Sequence, residues 1–474
     1  MTFTRRSLKI NDMTKMTWNN CFSSERFGVS KTSKSARHEF ERDWDRLIFS
    51  SAFRRLQNKT QVFPLPEEVF VHNRLTHSLE VASVGRSLGK LVGKYICETE
   101  GVNNDEKARP FYRNHLKNVI ANACLAHDMG NPAFGHSGED AISKYFIDKK
   151  NNKKFRSLFS DKEWSDLTNF EGNANALRLL TKVSQGGTEG GFRLTYSTLG
   201  SIIKYPCESI ASQGKKGPIH RKKYGFFLMD THVFDDIVQK LNMVQEVDKK
   251  GLKIYKRHPF VYLVEAADDI CYNIIDFEDA HRLGILSHEE VSEAFLALIK
   301  LNKQEDFEHV LSMCEQLDSD RNEKIAYLRA KSINYLTLRC SEVFIKNITA
   351  ILDGSYQGEL LEDIEEANEI ISMIKKVSAR RIYNYSSVVK IELAGFRIMS
   401  GLIEDFVEAA LEPAEKRLKR HHKVIELMSK SHRFDEEDSA YIKVMSVIDY
   451  ISGMTDLFAL KLYRNIRGIE MTSI

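Results

Sequence analysis

Adjacent His127 and Asp128 stand where an apolar helical pattern ends in the segment NVIANACLAHDMGNPAFGHSGE. Apolar residues recur upstream at three- and four-residue spacing, and His127 lies four positions beyond Ala123 on the same stripe. The imidazole is therefore expected to point into the core. Gly130 and Pro132 follow closely, so the pair is expected at a helix end, where both side chains can converge on one point.

Two other segments place a side chain suited to metal binding on an otherwise apolar stripe. His77 begins a stripe that continues through Val81 in HNRLTHSLEVASVGRSLGKL. Asp268 lies in the middle of a similar stripe in HPFVYLVEAADDICYNIIDFEDAH. Because a buried carboxylate without a partner is costly, Asp268 is expected to face a cation.

Together these segments offer two imidazoles and two carboxylates as metal ligands: His77, His127, Asp128 and Asp268. Such a mixed set suits six-coordinate Mn or Mg, and also Fe, Co or Ni, better than a closed structural zinc site, which favours thiolates. Four protein ligands leave two positions for water and a substrate phosphate oxygen. Spacing alone also fits four unrelated buried polar residues.

Helices are expected to position these side chains, since only Pro413 of the eight prolines lies after Pro259. Segments such as EVSEAFLALIKL and IELAGFRIMSGLIEDFVEAAL show helical apolar spacing. The sequence predicts an all-α fold, with one helical body over 1–474. Between Ser184 and Phe227, glycine, polar residues and lysine indicate an insertion or long loop, and a small strand pair near RLTYSTLG is compatible with it.

Composition suits a globular protein, with 42% hydrophobic and 28% charged residues. The net charge of +3, from 69 basic and 66 acidic residues, neither requires nor excludes a polyanionic partner. The seven cysteines are scattered without a CxxC pair, which favours reduced thiols. The N-terminus lacks an apolar signal region and no run reaches membrane-spanning length, so a soluble, cytoplasmic protein is expected.

The wider motifs resemble the dGTP triphosphohydrolase (dGTPase) family of the HD superfamily of metal-dependent phosphohydrolases. They include FSSAFRRLQNKTQVFP, HNRLTHSLEVA, LAHDMGNPAFGHSGE, FEGNANALRLL, LGSIIKYP, KKYGFF, VEAADDICYNIIDFEDAH and VIDYISGMTDLFALKLY. The resemblance covers nearly the whole chain. It implies an HD core over about 70–280, interrupted by the insertion at about 184–227, and a helical C-terminal region over about 285–474.

The resemblance also implies an activity. In this family water attacks the α-phosphorus and tripolyphosphate leaves intact, so dGTP would give deoxyguanosine and tripolyphosphate. The motif HDMGNPAFGHSGE assigns His136 and Glu139 to catalysis, with Glu139 orienting or deprotonating His136. An imidazole partnered by a carboxylate can act as acid, base or positioned donor near neutral pH. Read without the resemblance, FGHSGE is a turn followed by a helix N-terminus.

Further residues match the family's substrate contacts. Arg74 matches a position that binds the triphosphate, where its planar fork suits phosphate oxygens. Gln61 and Val62 match contacts to the deoxyribose. Tyr272 is expected to stack on the sugar and Asp276 to bond its 3′-hydroxyl; a surface salt bridge for Arg74, a buried tyrosine and a helix-surface aspartate are the structural alternatives.

The lysine-rich insertion supplies two more matches, Lys204 and Lys223, which resemble phosphate-contacting lysines, although a solvated loop explains the same charge equally well. Glu171 and Asn173 are expected close to the site in either a functional or a structural role. Glu392 is a candidate for the guanine pocket, across a subunit boundary.

Two alternatives remain open at this point. The first is an HD phosphohydrolase with broad dNTP preference or another phosphoester substrate. The second is a nucleic-acid-binding regulatory protein with a residual hydrolase site, which the basic insertion favours slightly, although no expected ligand is missing. By resemblance, a homo-oligomer, commonly a hexamer, and single-stranded DNA are the expected partners besides the dNTP.

Overall fold

Helices make up the regular structure, as the low proline density predicts. The computed structural model describes residues 16–29, 36–63, 71–182 and 190–469. Within these ranges strand pairing is limited to isolated bridges, such as the one between Arg26 and Thr195, so the all-α prediction is confirmed. None of the described helices is long and apolar enough to cross a lipid bilayer. All seven cysteines are buried and none forms a disulfide.

The helices of the first half are α1 (Glu39–Ile48), α2 (Ser51–Arg55), α3 (Arg74–Ile96), α4 (Ala108–Pro110), α5 (Leu116–Ala126), α6 (His136–Asp148), α7 (Lys153–Arg156), α8 (Asp161–Thr168), α9 (Gly172–Thr181), α10 (Tyr196–Ile202), α11 (Thr231–Lys240) and α12 (Pro259–Arg282). Those of the second half are α13 (His288–Lys300), α14 (Phe307–Gln316), α15 (Arg321–Lys346), α16 (Ile348–Asp353), α17 (Asn368–Val377), α18 (Ser386–Leu411), α19 (Lys419–Leu427), α20 (Ala440–Ser452) and α21 (Asp456–Ile466). Short 3-10 and π turns connect several of them.

The sequence sets the starts of the helices that bear the candidate ligands. Asn73 caps α3 because its side chain accepts hydrogen bonds from the backbone N–H groups of Leu75 and Thr76. His258 caps α12 in the same way, and Pro259 follows at the first helical position, where a missing N–H costs nothing. Both helices therefore begin at defined residues.

Helices α3 and α5 pack with their backbones in close contact. A Cβ atom at Gly89 would lie 2.8 Å from Lys117 Cα, and one at Gly93 would lie 2.3 Å from the Tyr112 carbonyl oxygen. Only glycine permits this approach without a shift of one helix. The contact fixes the spacing between the two helices whose ends carry His77 and His127.

Two clusters of buried apolar residues hold the helices together. The larger contains residues of α3, α5, α12 and α15, such as Val81 and Leu336. The smaller contains residues of α6, α18 and α20, such as Ile142 and Leu402. The expected single body and its limits at 70–280 and 285–474 stay predictions.

The glycine- and lysine-rich insertion is more structured than a long loop. Its first residues lie outside the described part of the chain, but 190–227 contains helix α10 and three short 3-10 turns. Of the strand pair considered near RLTYSTLG, the structure has an isolated bridge between Arg26 and Thr195, after which the segment enters α10. Thr195 caps that helix by accepting a hydrogen bond from the Thr198 backbone N–H, which favours a helix start over a strand.

Candidate active site

Three side chains suited to metal binding converge where the start of α3, the end of α5 and the middle of α12 meet. Among the described residues these are His77, His127 and Asp268, whose ligand atoms all lie within 4.8 Å of one another. His77 Nε2 lies 3.0 Å from Asp268 Oδ1, and His127 Nε2 lies 3.4 Å from the same oxygen. The three helical stripes therefore meet at one point, as their spacing predicts.

The donor atoms of this triad fit a divalent metal ion. His127 Nδ1 donates a 2.6 Å hydrogen bond to the Cys124 carbonyl oxygen, which leaves Nε2 as the nitrogen with the free lone pair. That Nε2 atom is buried and makes no hydrogen bond to a described residue. Since buried polar atoms normally have partners, a ring nitrogen left open beside a carboxylate suits a ligand to a cation.

Asp128 stands next to the triad but has other partners. Its Oδ2 accepts a 2.6 Å hydrogen bond from Arg74, and its Oδ1 accepts one of 2.6 Å from the Asn131 side chain. Asp128 Oδ1 lies 3.6 Å from His127 Nε2. The carboxylate is thus within reach of an ion at the triad, and its role as a fourth ligand stays a prediction.

The electrostatics of the triad favour positive charge. Burial lowers the pKa of His127, but the carboxylates of Asp128 and Asp268 outweigh burial and raise it to about 9. Burial alone would raise the pKa of Asp268, but His127 and His77 hold it well below its usual range. The site therefore keeps its carboxylate ionised and attracts a cation, which is either a proton or a metal ion.

A second pair, His136 and Glu139, lies in the first turn of α6. His136 Nδ1 lies 2.9 Å from Glu139 Oε2, while Glu139 Oε1 accepts a 2.8 Å hydrogen bond from the Gly172 backbone N–H. The imidazole side chain is 85% exposed and the carboxylate 10% exposed. The hydrogen bond to Glu139 raises the pKa of His136. This arrangement fixes one ring nitrogen and leaves the other available for a substrate.

Three basic side chains lie around the metal-binding triad and the His136–Glu139 pair. Each of them forms an ion pair with a carboxylate. Arg74 is buried against Asp128, so the alternative of a surface salt bridge is wrong for this residue. Lys204 Nζ lies 3.0 Å from Glu265 Oε1, and Lys223 Nζ lies 2.8 Å from a Glu171 carboxylate oxygen. These lysines are ordered by ion pairs and are not part of a freely solvated run.

Gly135, the residue before α6, allows Arg74 to lie beside His136. Its φ is 56°, in the region that favours glycine, and a Cβ atom there would lie 2.8 Å from Arg74 Nη2. A side chain at this position would therefore push the guanidinium away.

These groups open into one cavity of about 540 Å³. All the site residues predicted from the sequence line it except His77 and Asp276, which are both buried. Glu171, Asn173 and Glu392 line it as well. Its volume falls within the range typical of small-molecule sites.

The cavity is also lined by Tyr272, whose ring stacks on Tyr383 with centroids 5.6 Å apart. Asp276 is buried, and its Oδ2 accepts a 3.0 Å hydrogen bond from the Tyr383 hydroxyl. Gln61 and Val62 line the same cavity, and Gln61 Oε1 is buried without a hydrogen bond to a described residue. Asp276 is therefore not a surface residue, contrary to the structural alternative, and it does not face the cavity directly.

Sequence reasoning missed two participants. Tyr383 lies in an irregular segment just before α18, more than a hundred residues from Asp276, and no motif marks it. Asn131 is different, because it stands within HDMGN and its contact with Asp128 could have been proposed from adjacency alone.

The HD domain family matches residues 74–180, which contain Arg74, His77, the His127–Asp128 pair and the His136–Glu139 pair. The phosphohydrolase-associated domain family matches residues 364–465. The helical fold, the matched domain and the His/His/Asp triad together define an HD-domain phosphohydrolase.

Proteins that are similar over nearly the whole chain identify the family within the HD-domain phosphohydrolases. The chain is 36% identical to a deoxyguanosinetriphosphate triphosphohydrolase-like protein of Synechocystis sp., over 96% of this chain and 100% of the relative. It is 36% identical to a protein of the same name from Pseudomonas aeruginosa, over 96% and 99%. A deoxyguanosinetriphosphate triphosphohydrolase of Yersinia enterocolitica is 31% identical over 91% and 94%. The chain belongs to the dGTPase-like family of HD phosphohydrolases.

Proposed function

We propose that this protein is a divalent-metal-dependent deoxynucleoside triphosphate triphosphohydrolase, with dGTP as its preferred substrate. The observation that carries the proposal is the meeting of the His/His/Asp triad, the His136–Glu139 pair and three basic side chains in one cavity. Hydrolysis of a triphosphate needs metal ligands, cations that neutralise the phosphates and a group that transfers a proton. Residues of all three kinds line or adjoin this cavity.

The basic side chains would hold the triphosphate. The planar guanidinium group of Arg74 suits phosphate oxygens. Lys204 and Lys223, from the insertion, would add the positive charge of their ammonium groups. A metal ion, Mn²⁺ or Mg²⁺ by preference, would be held by His77, His127 and Asp268, with Asp128 as the fourth ligand. When bound, such an ion neutralises phosphate charge and lowers the pKa of a water molecule.

The reaction would form a bond between the water oxygen and the α-phosphorus and break the bond from that phosphorus to O5′ of the nucleoside. The leaving oxygen then needs a proton. His136 can donate it, because Glu139 holds Nδ1 and raises the pKa of the ring, which keeps the imidazole protonated to higher pH. The products would be deoxynucleoside and intact tripolyphosphate.

Other residues of the lining would select the sugar and the base. Gln61 and Val62 would contact the deoxyribose, and Tyr272 would offer a ring face for stacking. Glu392 on α18 offers a carboxylate that could accept hydrogen bonds from guanine. The guanine preference rests chiefly on the names of the relatives. A homo-oligomer and binding of single-stranded DNA belong to the same proposal.

The test is a product assay with purified protein, Mn²⁺ and each of the four dNTPs, in water labelled with ¹⁸O. Tripolyphosphate bearing the label, released fastest from dGTP, is the expected result. Pyrophosphate or orthophosphate as the first product would overturn the triphosphohydrolase reaction. Equal rates for all bases would overturn the guanine preference and leave a broad dNTPase. No turnover together with tight binding of single-stranded DNA would favour the regulatory alternative.

A further inference from the structure

A second cavity, of about 520 Å³, lies between α1, α2, α9 and α20. Its lining includes four basic side chains, Arg46, Arg55, Lys59 and Lys182. Asp449 is the carboxylate that the described residues contribute to this lining, and it already binds Lys182 and the buried Arg178. The cavity is nearly as large as the active site, and its described lining carries more basic than acidic side chains.

The excess positive charge lies chiefly on the two arginines, whose hydrogen-bond partners are neutral. Arg46 donates a 3.3 Å hydrogen bond to the Phe192 carbonyl, and Arg55 donates one of 3.4 Å to the Ser51 hydroxyl. Within the described residues neither forms an ion pair with a carboxylate. Burial lowers the pKa of both guanidinium groups, and Arg26 lowers that of Arg46 further. Partly buried guanidinium groups with neutral partners are suited to receive an anion.

The cavity is separate from the active site, although the two share a wall. Lys59 lines the second cavity, whereas the next residues, Thr60 and Gln61, line the active site. Met129 lines the second cavity, whereas Asp128 and Asn131 line the active site.

Two residues that line the second cavity, Lys59 and Asn175, donate hydrogen bonds to backbone carbonyls of this wall. Lys59 Nζ donates to the carbonyl oxygens of Asn131, at 2.5 Å, and Ser452, at 3.0 Å. Asn175 Nδ2 donates a 2.6 Å hydrogen bond to the Gly130 carbonyl. These hydrogen bonds stabilise the segment that separates the two cavities.

We propose that this second cavity is a binding site for a small anion bearing phosphate groups, with Arg46 and Arg55 as its principal contacts. Lys59 and Lys182 complete a basic lining of a size that accommodates several phosphates. An extended nucleic acid strand suits the site less well, because two separate helices supply the arginines around a bounded cavity. The site does not depend on the proposed reaction.

The test is calorimetric titration of inorganic tripolyphosphate into the full-length protein in metal-free buffer. Wild-type protein is expected to show two classes of site. Arg55→Gln should weaken one class about tenfold or more, as expected for loss of a charged hydrogen bond. Arg54→Gln is the matched control, since Arg54 is the neighbouring residue on α2, exposed and outside the cavity. Arg46→Gln, on α1, should reproduce the loss independently.

Thermal unfolding of each variant separates lost binding from lost structure, and Arg55→Lys should retain part of the affinity because it keeps the charge. Equal binding by wild-type protein, Arg55→Gln and Arg46→Gln would overturn the proposal. Equal weakening by Arg54→Gln would overturn it too. So would an Arg55→Gln effect on a single-stranded oligonucleotide without an effect on tripolyphosphate. Because binding is measured without turnover, these outcomes leave the proposed reaction untouched.

Discussion

The Tyr383 hydroxyl donates a 3.0 Å hydrogen bond to Asp276 Oδ2, and the same tyrosine ring stacks on Tyr272. The segment before α18 is thereby held against α12 beside the cavity that Tyr272 and Tyr383 line. Burial raises the pKa of the Asp276 carboxyl well above its usual range, and the hydrogen bond from Tyr383 opposes that rise. Asp276 therefore positions Tyr383.

Tyr383→Phe should raise KM more than it lowers kcat, because it leaves Asp276 without its partner and releases the ring that supports Tyr272. Loss of a buried hydrogen bond of this kind costs about 1–3 kcal/mol. Steady-state kinetics of Tyr383→Phe, Asp276→Asn and the double variant test the coupling. Strictly additive effects would show that the two residues act independently.

His127→Ala and Asp268→Ala should each abolish metal binding and turnover while the helical fold persists, because each removes a ligand atom from the triad. Metal content by mass spectrometry, circular dichroism and product release are the measurements. Asp128→Ala is expected to abolish turnover as well. His309→Ala, at an exposed position on α14, is the control. Full metal occupancy in Asp268→Ala would contradict the assignment of the triad.

Glu139→Gln should move the alkaline fall of kcat/KM to lower pH. The hydrogen bond to Glu139 raises the pKa of His136, so activity that needs the protonated ring is present below that pKa and lost as pH rises through it. Without the carboxylate the ring loses its proton at lower pH, and general acid catalysis worth about 10²–10⁴-fold is reduced. A pH profile tests this, with Asp140→Asn, an exposed neighbour, as control. An unmoved alkaline limb would argue against His136 as the acid.

Lys204→Met and Lys223→Met should both raise KM, because each removes a charged contact worth about 1.5–3 kcal/mol. Their effects on stability should differ. Glu265 keeps its 2.7 Å bond to Arg257 when Lys204 is lost. When Lys223 is lost, the Glu171 side chain keeps neutral donors among the described residues, the Asn173 side chain at 2.6 Å and the Asn173 backbone N–H at 3.3 Å.

Urea unfolding should therefore show a lower free energy of unfolding for Lys223→Met, by about 1–3 kcal/mol, and little change for Lys204→Met. Lys223→Arg, which keeps the charge, should recover most of the stability. The reverse order of stabilities would show that these ion pairs do not support the fold as inferred.

Arg178→Met should destabilise the fold by about 3–5 kcal/mol, because it leaves the buried Asp230 without its cation and leaves Asp449 with Lys182 alone. Arg178 on α9 bonds Asp449 at 2.7 Å and Asp230 at 2.9 Å. Chemical denaturation measures the loss, and Arg113→Met, at an exposed position, controls for removal of an arginine. A change below 1 kcal/mol would mean that the network contributes little.

The metal triad could be predicted from sequence because each ligand interrupts an apolar stripe on its own helix. His77, His127 and Asp268 are visible as polar residues at core-facing positions, and the family resemblance, added to this spacing, indicates that they meet. The resemblance then supplied His136 and Glu139, whose hydrogen bond spans three residues of one helix and needs no tertiary contact.

The contact between Tyr383 and Asp276 and the ion pairs of the lysines could not be predicted in the same way. Tyr383 reaches Asp276 across 107 residues, and Lys204 reaches Glu265 from a segment whose helix α10 carries no strong periodic pattern. Such contacts depend on how helices pack. Sequence spacing predicts which side chains share one face of a helix. The residue of another element that contacts this face is known only from the tertiary structure.

The glycines on α3 bear on how the two imidazoles of the triad are brought together. Gly89 allows direct backbone contact between α3 and α5, and Gly93 allows α3 to lie against Tyr112 just before α5. The rings of His77 and His127, on the same two segments, lie with their centroids 5.6 Å apart. Alanine at Gly89 would push α3 away from α5, so we expect it to weaken metal binding from a position outside the site.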